Sequence, residues 1–445
     1  MSNLIHLRLA AREILAETLS AVDPGKAVQR VIQCKESFFS VRDLKLDVGN
    51  RPVYSIAVGK AALSMALALE DALEERFAAG LLSGPLTGDR AFGLSPRKLS
   101  PSWRWYEGGH PLPTQESLSA GAEAFELLKR ANDARALVIF LISGGGSAML
   151  EWPVSEDITL QDLRVANQTL VNCGAGISEI NSVRGSFSAI KGGKLAARAP
   201  DCDQITLIVS DVPSGEERSV ASGPTLAPSP EAPDADEVIA RYGLRDKLPV
   251  KIVQAIERQA NAFESSESRL RGHFVLLSNS TALEAAAASA QRRGFMPEFA
   301  HDISDQPIEQ GCEQLRRRLE ALQAKYRDSS RIVCLISGGE FACPVKGGGL
   351  GGRNLETALR LAARTNFEMV ALCAGTDGID GNSPAAGAII DNTTIERATS
   401  IGLDPNDFLE RSDAYSFFVA LGDALTTGAT GTNVRDVRIL LARTG

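Results

Sequence analysis

Lys60 follows the apolar run Val53–Val58 as Gly59-Lys60 and precedes AALSMALALEDALEE. A lysine at such a strand-to-helix turn is placed to meet an anion, although an ordinary exposed lysine would fit the pattern too. It is not a Walker A lysine, because Ala61 follows it and Tyr54 stands where the first glycine belongs. A second stretch, ISGGEFACPVKGGGLGGRNLETALRLAAR, runs from a strand through a glycine-rich loop into a helix striped by Leu355, Ala358, Leu359 and Ala362. Arg353 and Asn354 then lie in the helix's first turn, where free backbone N–H groups attract anions and an arginine adds a two-pronged donor. Gly347-x-Gly349-x-x-Gly352 formally matches the dinucleotide fingerprint, but no acid follows about 20 residues on, where position 372 is leucine. Asp377 and Asp380 in GTDGIDG suit Mg²⁺ or general-base work on a hydroxyl, or else an Asx-turn network. Asp211 and Glu216 in SDVPSGEE make a second acidic loop. Of four histidines only His110, in EGGHPLPT, adjoins glycine turns, and no G-x-S-x-G surrounds Ser143 or Ser147, so a serine hydrolase is disfavoured. A lysine, an arginine at a glycine-rich helix start, backbone-amide loops and acids together match phosphoryl transfer.

Short continuous apolar runs must position these groups. They are Val53–Val58, Ala136–Ile142, Ile205–Val209, Phe274–Leu277, Ile332–Ile336, Met369–Cys373 and Val437–Leu441. Runs without alternation indicate strands buried on both faces, hence a mostly parallel sheet. Helical segments intervene: Thr281-x-x-Glu284 reads as a capping box with Gly294 as the stop, Thr159 as the start signal for 162–171, and Ile308–Tyr326 carries a leucine stripe. The class is therefore α/β. The proline-rich stretch PTLAPSPEAPDAD, Pro224–Asp236, reads as an exposed interdomain connection open to proteolysis. LISGGGSAML at Leu141–Leu150 is echoed by LISGGEFACP at Leu335–Pro344, two strand–turn units of one design.

The chain has 445 residues, 44% hydrophobic and 23% charged, which suits two to three globular domains and excludes a disordered chain. A net charge of −8 leaves no broad basic surface for nucleic acid, and 5% aromatic residues leave no base-stacking platform. Seven scattered cysteines without a C-x-x-C pair point to reduced thiols in the cytoplasm. The N-terminal MSNLIHLRLAAREILAETL reads as an amphipathic helix, not a secretory signal, and no apolar run is long enough for a membrane span.

The chain resembles the class II glycerate kinase family, whose members end in a MOFRL domain. The resemblance rests on VGKAALSMA, EGGHPLPTQES, LISGGGSAML, NSVRGSFSAIKGGKLA, IVSDVPSGE, SGPT, SGGE, GGGLGGRNLETAL, AGTDGIDGNSPAAGA, SDAYSFF and TGATGTNVRD, in order along nearly the whole chain. It implies a two-domain α/β fold: a larger Rossmann-like three-layer α/β/α domain over 1–235, with the tail 410–445 as a segment that could rejoin it, and a MOFRL-containing domain over 236–445. The active site is expected in a cleft between them. The implied reaction is ATP-dependent phosphorylation of D-glycerate to 2-phosphoglycerate, or of a related hydroxycarboxylic acid, with Mg²⁺. Implied catalytic residues are Lys60, Arg353 and Asp377. Ser143, Gly144, Gly145, Gly146, Ser147, Asn181, Arg184, Lys191, Asp211, Gly347, Gly349, Gly352 and Asn354 are expected to bind substrate or nucleotide, and Asp380 and Glu216 a metal. The oligomeric state stays open, a homodimer included. The sequence departs from the family pattern at Gly185 and Ser186 (a Lys-His pair), Leu355 (Gln), Pro384 (Asp), Phe341 (Thr) and Glu216 (Asp), which puts the exact acid in question. The alternatives are an NAD(P)H-dependent hydroxypyruvate reductase, a label often given to members, and a catalytically weak binding homologue.

Overall fold

The structure, a computed structural model, describes residues 2–85, 99–258, 269–365 and 367–444. The chain forms two compact units. One runs from Pro24 to Leu276, and the other joins the residues up to Asp23 to those from Leu277 onward.

The opening helix α1 (Ser2–Ala21) belongs to the second unit. Leu7, Ala11, Ile14 and Leu15 are buried there, and Arg8 reaches Asp391 at 2.6 Å. Its amphipathic face is thus a packing surface joined to the far end of the sequence.

In the first unit a small antiparallel meander (Ile32–Lys35, Phe38–Val41, Leu44–Asp47) precedes the main sheet. The sheet strands are β1 (Val53–Val58), β2 (Phe77–Ser83), β3 (Trp103–Tyr106), β4 (Leu137–Ser143), β5 (Asp203–Val209) and β6 (Arg271–Leu277). Their order is β3-β2-β1-β4-β5-β6, with β1/β2, β2/β3, β1/β4 and β4/β5 parallel. This is the doubly wound Rossmann order, in which the chain reverses direction across the sheet between β1 and β4. Helices α2 (Ala62–Leu73) and α3 (Gln115–Asp133) cover the sheet. Every residue of β4 is buried: Val138, Phe140 and Ile142 join the core with α3, while Ile139 and Leu141 are sealed on the opposite face.

A second core in this unit is built mainly from helices. It unites α4 (Leu160–Val171), α5 (Ile177–Phe187), α6 (Ala235–Arg241) and α7 (Val250–Arg258), with Leu163, Ile180, Phe187, Val238, Ile239 and Ile252 in contact. This corrects the expected boundary. α6 and α7 bury their apolar faces against α4 and α5, so the division falls at 276/277 and not at 235/236. Pro224–Asp236 is consequently a loop within the first unit. Pro224 and Thr225 are buried, residues 227–231 are exposed, and Asp234 caps α6 through the amides of Asp236 and Glu237.

The second unit carries α8 (Asn279–Arg292), β7 (Met296–Phe299), α9 (Ile308–Lys325), β8 (Ile332–Ser337), α10 (Arg353–Arg364), β9 (Met369–Gly375), β10 (Gly387–Asp391), β11 (Ala424–Leu425) and β12 (Asp436–Arg443). The order is β7-β8-β12-β9-β10-β11. Only β7/β8 pair in parallel; β12 enters antiparallel between β8 and β9, and β10 and β11 also pair antiparallel. Continuous apolar runs report burial on both faces, and here that burial belongs to a mostly antiparallel sheet, so the parallel expectation holds for the first sheet alone. With β12 at its centre, the tail stays in this unit and does not rejoin the first. α8 starts one turn earlier than its sequence signal: Ser278 and Thr281 form the capping box, and Gly294 stops the chain at φ +77°. The seven cysteines form no disulfide. Among the described residues no helix is long and apolar enough to cross a membrane.

Candidate active site

Open α/β sheets bind ligands beyond the carboxyl ends of their strands, where the strand order reverses. In the first unit that point is the pair of loops after β1 and β4. The Lys60 amide donates to the Gly144 carbonyl at 2.9 Å. The Ser143 hydroxyl accepts the Ala61 amide at 3.1 Å and donates to the Val58 carbonyl at 3.2 Å. Ser143 is therefore a buried fastener between the loops, not a ligand-facing hydroxyl as expected. Gly59 (φ +111°) and Gly145 (φ +82°) need the left-handed region. A Cβ at Gly145 would stand 3.1 Å from the His110 ring and 3.4 Å from the Lys60 stem, and one at Gly144 would strike the Asp211 carboxylate. Lys60, His110 and Asp211 thus gather around the Gly144–Gly145 backbone. The turn that follows, Gly146–Met149, has no side-chain cap.

From this loop a polar chain leads away. Ser147 and Ser222 hydroxyls lie 2.8 Å apart, and Ser222 donates to the Asn181 side-chain oxygen at 2.8 Å. Ala221 and Ser222 hold φ +53° and +61°, conformations that L-residues keep only when their surroundings impose them. Arg184 is turned to Asn167, its Nε donating at 2.9 Å, and burial lowers its pKa from the usual arginine value. Lys191 contradicts its expected role: it is buried and ion-paired with Glu151, which also accepts from Ser188. Burial pulls the Lys191 pKa down while Glu151 opposes that shift. Breaking such a pair leaves one buried charge unmatched, so its part is structural.

In the second unit the glycine loop differs from expectation. Four of its amides are already engaged: Gly347 with the Ser412 hydroxyl (3.4 Å), Gly349 with the Arg411 carbonyl (3.0 Å), Leu350 with Asp413 (3.0 Å) and Gly351 with Asn382 (2.8 Å). The start of α10 is also taken, because Asp380 accepts the amides of Asn354 (3.1 Å) and Leu355 (2.8 Å). Gly347, Gly349, Gly352 and Asn354 therefore serve packing and capping, and the expected anion site at this helix start is filled by the protein's own carboxylate. Burial raises the Asp380 pKa to about 7 against the opposing pull of those hydrogen bonds. Arg353 donates through Nε to Asp436 at 2.8 Å and pairs through Nη2 with Glu340 at 2.9 Å. Asp377, half-buried after β9, accepts the Ile379 amide at 3.2 Å. Phe341 and Leu355 are core side chains, Phe341 lying 3.6 Å beneath the Arg438 guanidinium, so these two departures strip no polar group from a pocket.

The expected metal ligands do not fit. Both Asp380 oxygens are bound to amides, and Glu216 is exposed. Among the described residues no group of three or more His, Cys, Asp or Glu could hold an ion. Sequence reasoning missed Glu151, Asp436 and Ser222 as partners. Ser222 sits in the quoted SGPT motif and Asp436 ends the quoted TGATGTNVRD, whereas Glu151 follows an apolar segment that carries no spacing signal.

Residues 10–257 match the family described as Domain of unknown function (DUF4147), and residues 333–436 match the MOFRL family. A D-glycerate 2-kinase from Thermotoga maritima is 32% identical, the alignment covering 97% of this chain and 98% of that protein. The chain belongs to the class II glycerate kinase family. A solved structure, the glycerate kinase from Thermotoga maritima, superposes with a TM-score of 0.81 at 30% identity and covers 98% of this chain and 99% of its own. A protein from Agrobacterium vitis named "Putative hydroxypyruvate reductase" is 38% identical over 75% of this chain and 76% of its own. The likeness to glycerate kinases thus runs over nearly the full length of the chain.

Proposed function

We propose that this protein transfers a phosphoryl group from ATP to D-glycerate, giving 2-phosphoglycerate. The observation that carries the reading is Lys60 at the Rossmann switch point. Its backbone is tied to Gly144 and its stem lies against Gly145, beside the uncapped turn at Gly146. Phosphoryl transfer asks the protein mainly to position reactants and to neutralise developing charge. Lys60 supplies the charge, and the Gly144–Ser147 backbone supplies donors for phosphate oxygens. Asp377 is the group we assign to accept the proton of the substrate hydroxyl. Arg353, with two nitrogens held by Asp436 and Glu340, is assigned a positioning role. A divalent ion would arrive on the nucleotide's phosphates and not in a protein cage, as Mg²⁺ commonly does.

The test is an assay of purified protein with ATP, Mg²⁺ and D-glycerate, following ADP and the phosphorus spectrum of the product. ADP with a 2-phosphate signal supports the reading. NADH oxidation with hydroxypyruvate and no ADP would replace it with the reductase. Asp377→Asn keeps the side-chain shape and removes the basicity, so turnover should collapse while ADP binding measured by calorimetry survives. Loss of nucleotide binding instead would remove Asp377 from the proton-transfer role.

A further inference from the structure

The proline-rich loop, which by sequence reads as an interdomain connection, forms a wall of a cavity in the first unit. Two adjoining cavities, of about 590 and 330 Å³, share Ser182, Pro228, Ser229 and Ala232. The larger is within the usual range for small-molecule sites. The smaller also reaches Asn181 and Ser222, the side chains linked to Ser147 at the end of β4. The two cavities thus adjoin along one wall, and a hydrogen-bonded chain through Asn181 and Ser222 links the smaller to Ser147 beside the switch-point loop.

The two ends of this pair differ in chemistry. The outer end carries the carboxylates of Asp234, Asp236 and Glu257 against a single guanidinium, Arg245, which pairs with Asp236 and with Glu257 at 2.7 Å. That surplus of negative charge disfavours a carboxylate or phosphate, which excludes glycerate from the outer end. Apolar surface from Pro228, Ala232 and Ile256 and hydroxyls from Ser182 and Ser186 line the same space. An uncharged, flat group bearing hydroxyls fits it. The inner end is closer to neutral, with one guanidinium, Arg218, against one carboxylate, Glu216, and with Ser222, whose hydroxyl lies 2.8 Å from that of Ser147.

We propose that these cavities hold the nucleoside of the phosphoryl donor. The base lies against Pro228, Ala232 and Ile256. The ribose meets the serine hydroxyls, and the phosphate chain passes Ser222 and Ser147 to the Gly144–Gly146 loop and Lys60. The acidic outer end fixes the polarity of the ligand, because the phosphates are repelled from it. The proposal rests on the kinase reading above, and its test separates the two.

ADP binding is measured by calorimetry on the wild type, on Ala232→Trp, which fills the shared wall from an exposed loop, and on Ser229→Tyr as a second obstruction. Each variant should weaken ADP binding by about tenfold or more, because overfilling a fitted space forces neighbours apart. The KM for D-glycerate should stay within about twofold. A wild type that phosphorylates glycerate, with both variants binding ADP at wild-type affinity, overturns the nucleoside site and leaves the kinase reading standing. A wild type inactive on glycerate whose ADP binding still falls in both variants defeats the kinase reading and supports the site. Absence of any ADP binding by the wild type overturns both.

Discussion

Two of the glycine-bearing loops that follow strands, one in each unit, have opposite relations to a ligand. After β4, Gly144–Ser147 lies beside Lys60, His110 and Asp211, and no side chain caps the short turn it enters. Before α10, Gly347–Gly352 spends four of its amides on Ser412, Arg411, Asp413 and Asn382, and Asp380 fills the helix start. By sequence alone Gly347–Gly352 is the stronger anion cradle, with five glycines and an arginine next to them. The lesson is that glycine count reports close approach of backbone, and only the partner of each amide says whether what approaches is a ligand or the protein itself.

Substitutions can break this comparison. The largest effect is expected at the first loop. Lys60→Ala should lower kcat by about 10²-fold or more, the typical cost of removing a preorganised charge, with an unchanged melting temperature. Steady-state kinetics beside thermal melting checks it, and near-wild-type kcat would remove Lys60 from the mechanism. The second loop should answer in the reverse way. A Cβ at Gly349 would meet Asp413 and stand 2.8 Å from the Arg411 carbonyl oxygen, so Gly349→Ala should cost about 1–3 kcal/mol in chemical denaturation. kcat per folded molecule should hold.

Asp380 gives a smaller effect with a pH signature. Its replacement by Asn leaves one acceptor oxygen for the two amides at the start of α10 and turns an NH2 group toward the other, at about 1 kcal/mol. Burial holds the folded-state pKa near about 7, above the ordinary carboxylate value of about 4. Between those values the folded protein binds more protons than the unfolded chain, so this group makes stability fall as pH rises from about 4 to about 7 and level off above. Melting temperatures across that window should show the decline in the wild type and lack this component in Asp380→Asn. An identical pH slope in both would mean that Asp380 is not the titrating group.

Much of the fold is legible in the sequence because burial writes itself into composition. All seven apolar runs form strands, and Thr159 caps α4 where its spacing says it should. The edge strands β3, β7 and β11 are not legible, because short, half-exposed strands carry little apolar signal. The domain boundary misleads because prolines mark a loop without saying whether the helices beyond it pack backward or forward. Val238 and Ile252 settle that by packing onto α4 and α5. For the site, Lys60 is legible as a residue at a strand end. Lys191 is not, since nothing local in IKGGK shows that Glu151, far away in sequence, lies against it. Long-range pairing of charges is the part that one-dimensional spacing does not encode.

The smallest effect sharpens the comparison at Arg353. Its side chain is 36% exposed and its charge is shared between Asp436, which is buried, and Glu340. Arg353→Lys keeps the charge but replaces a planar fork with a point donor that can serve one carboxylate well and not both. Solvent screens the more exposed pair, so the loss of stability should stay below about 1 kcal/mol. If the fork only holds Asp436 and Glu340 in place, kcat should fall by less than about tenfold, with the KM for ATP and for glycerate nearly unchanged. A fall as deep as that of Lys60→Ala, with stability intact, would show that the arginine grips a reacting group directly. The second loop would then be a ligand site in spite of its filled amides. The contrast between the two loops would then reduce to which backbone donors each retains.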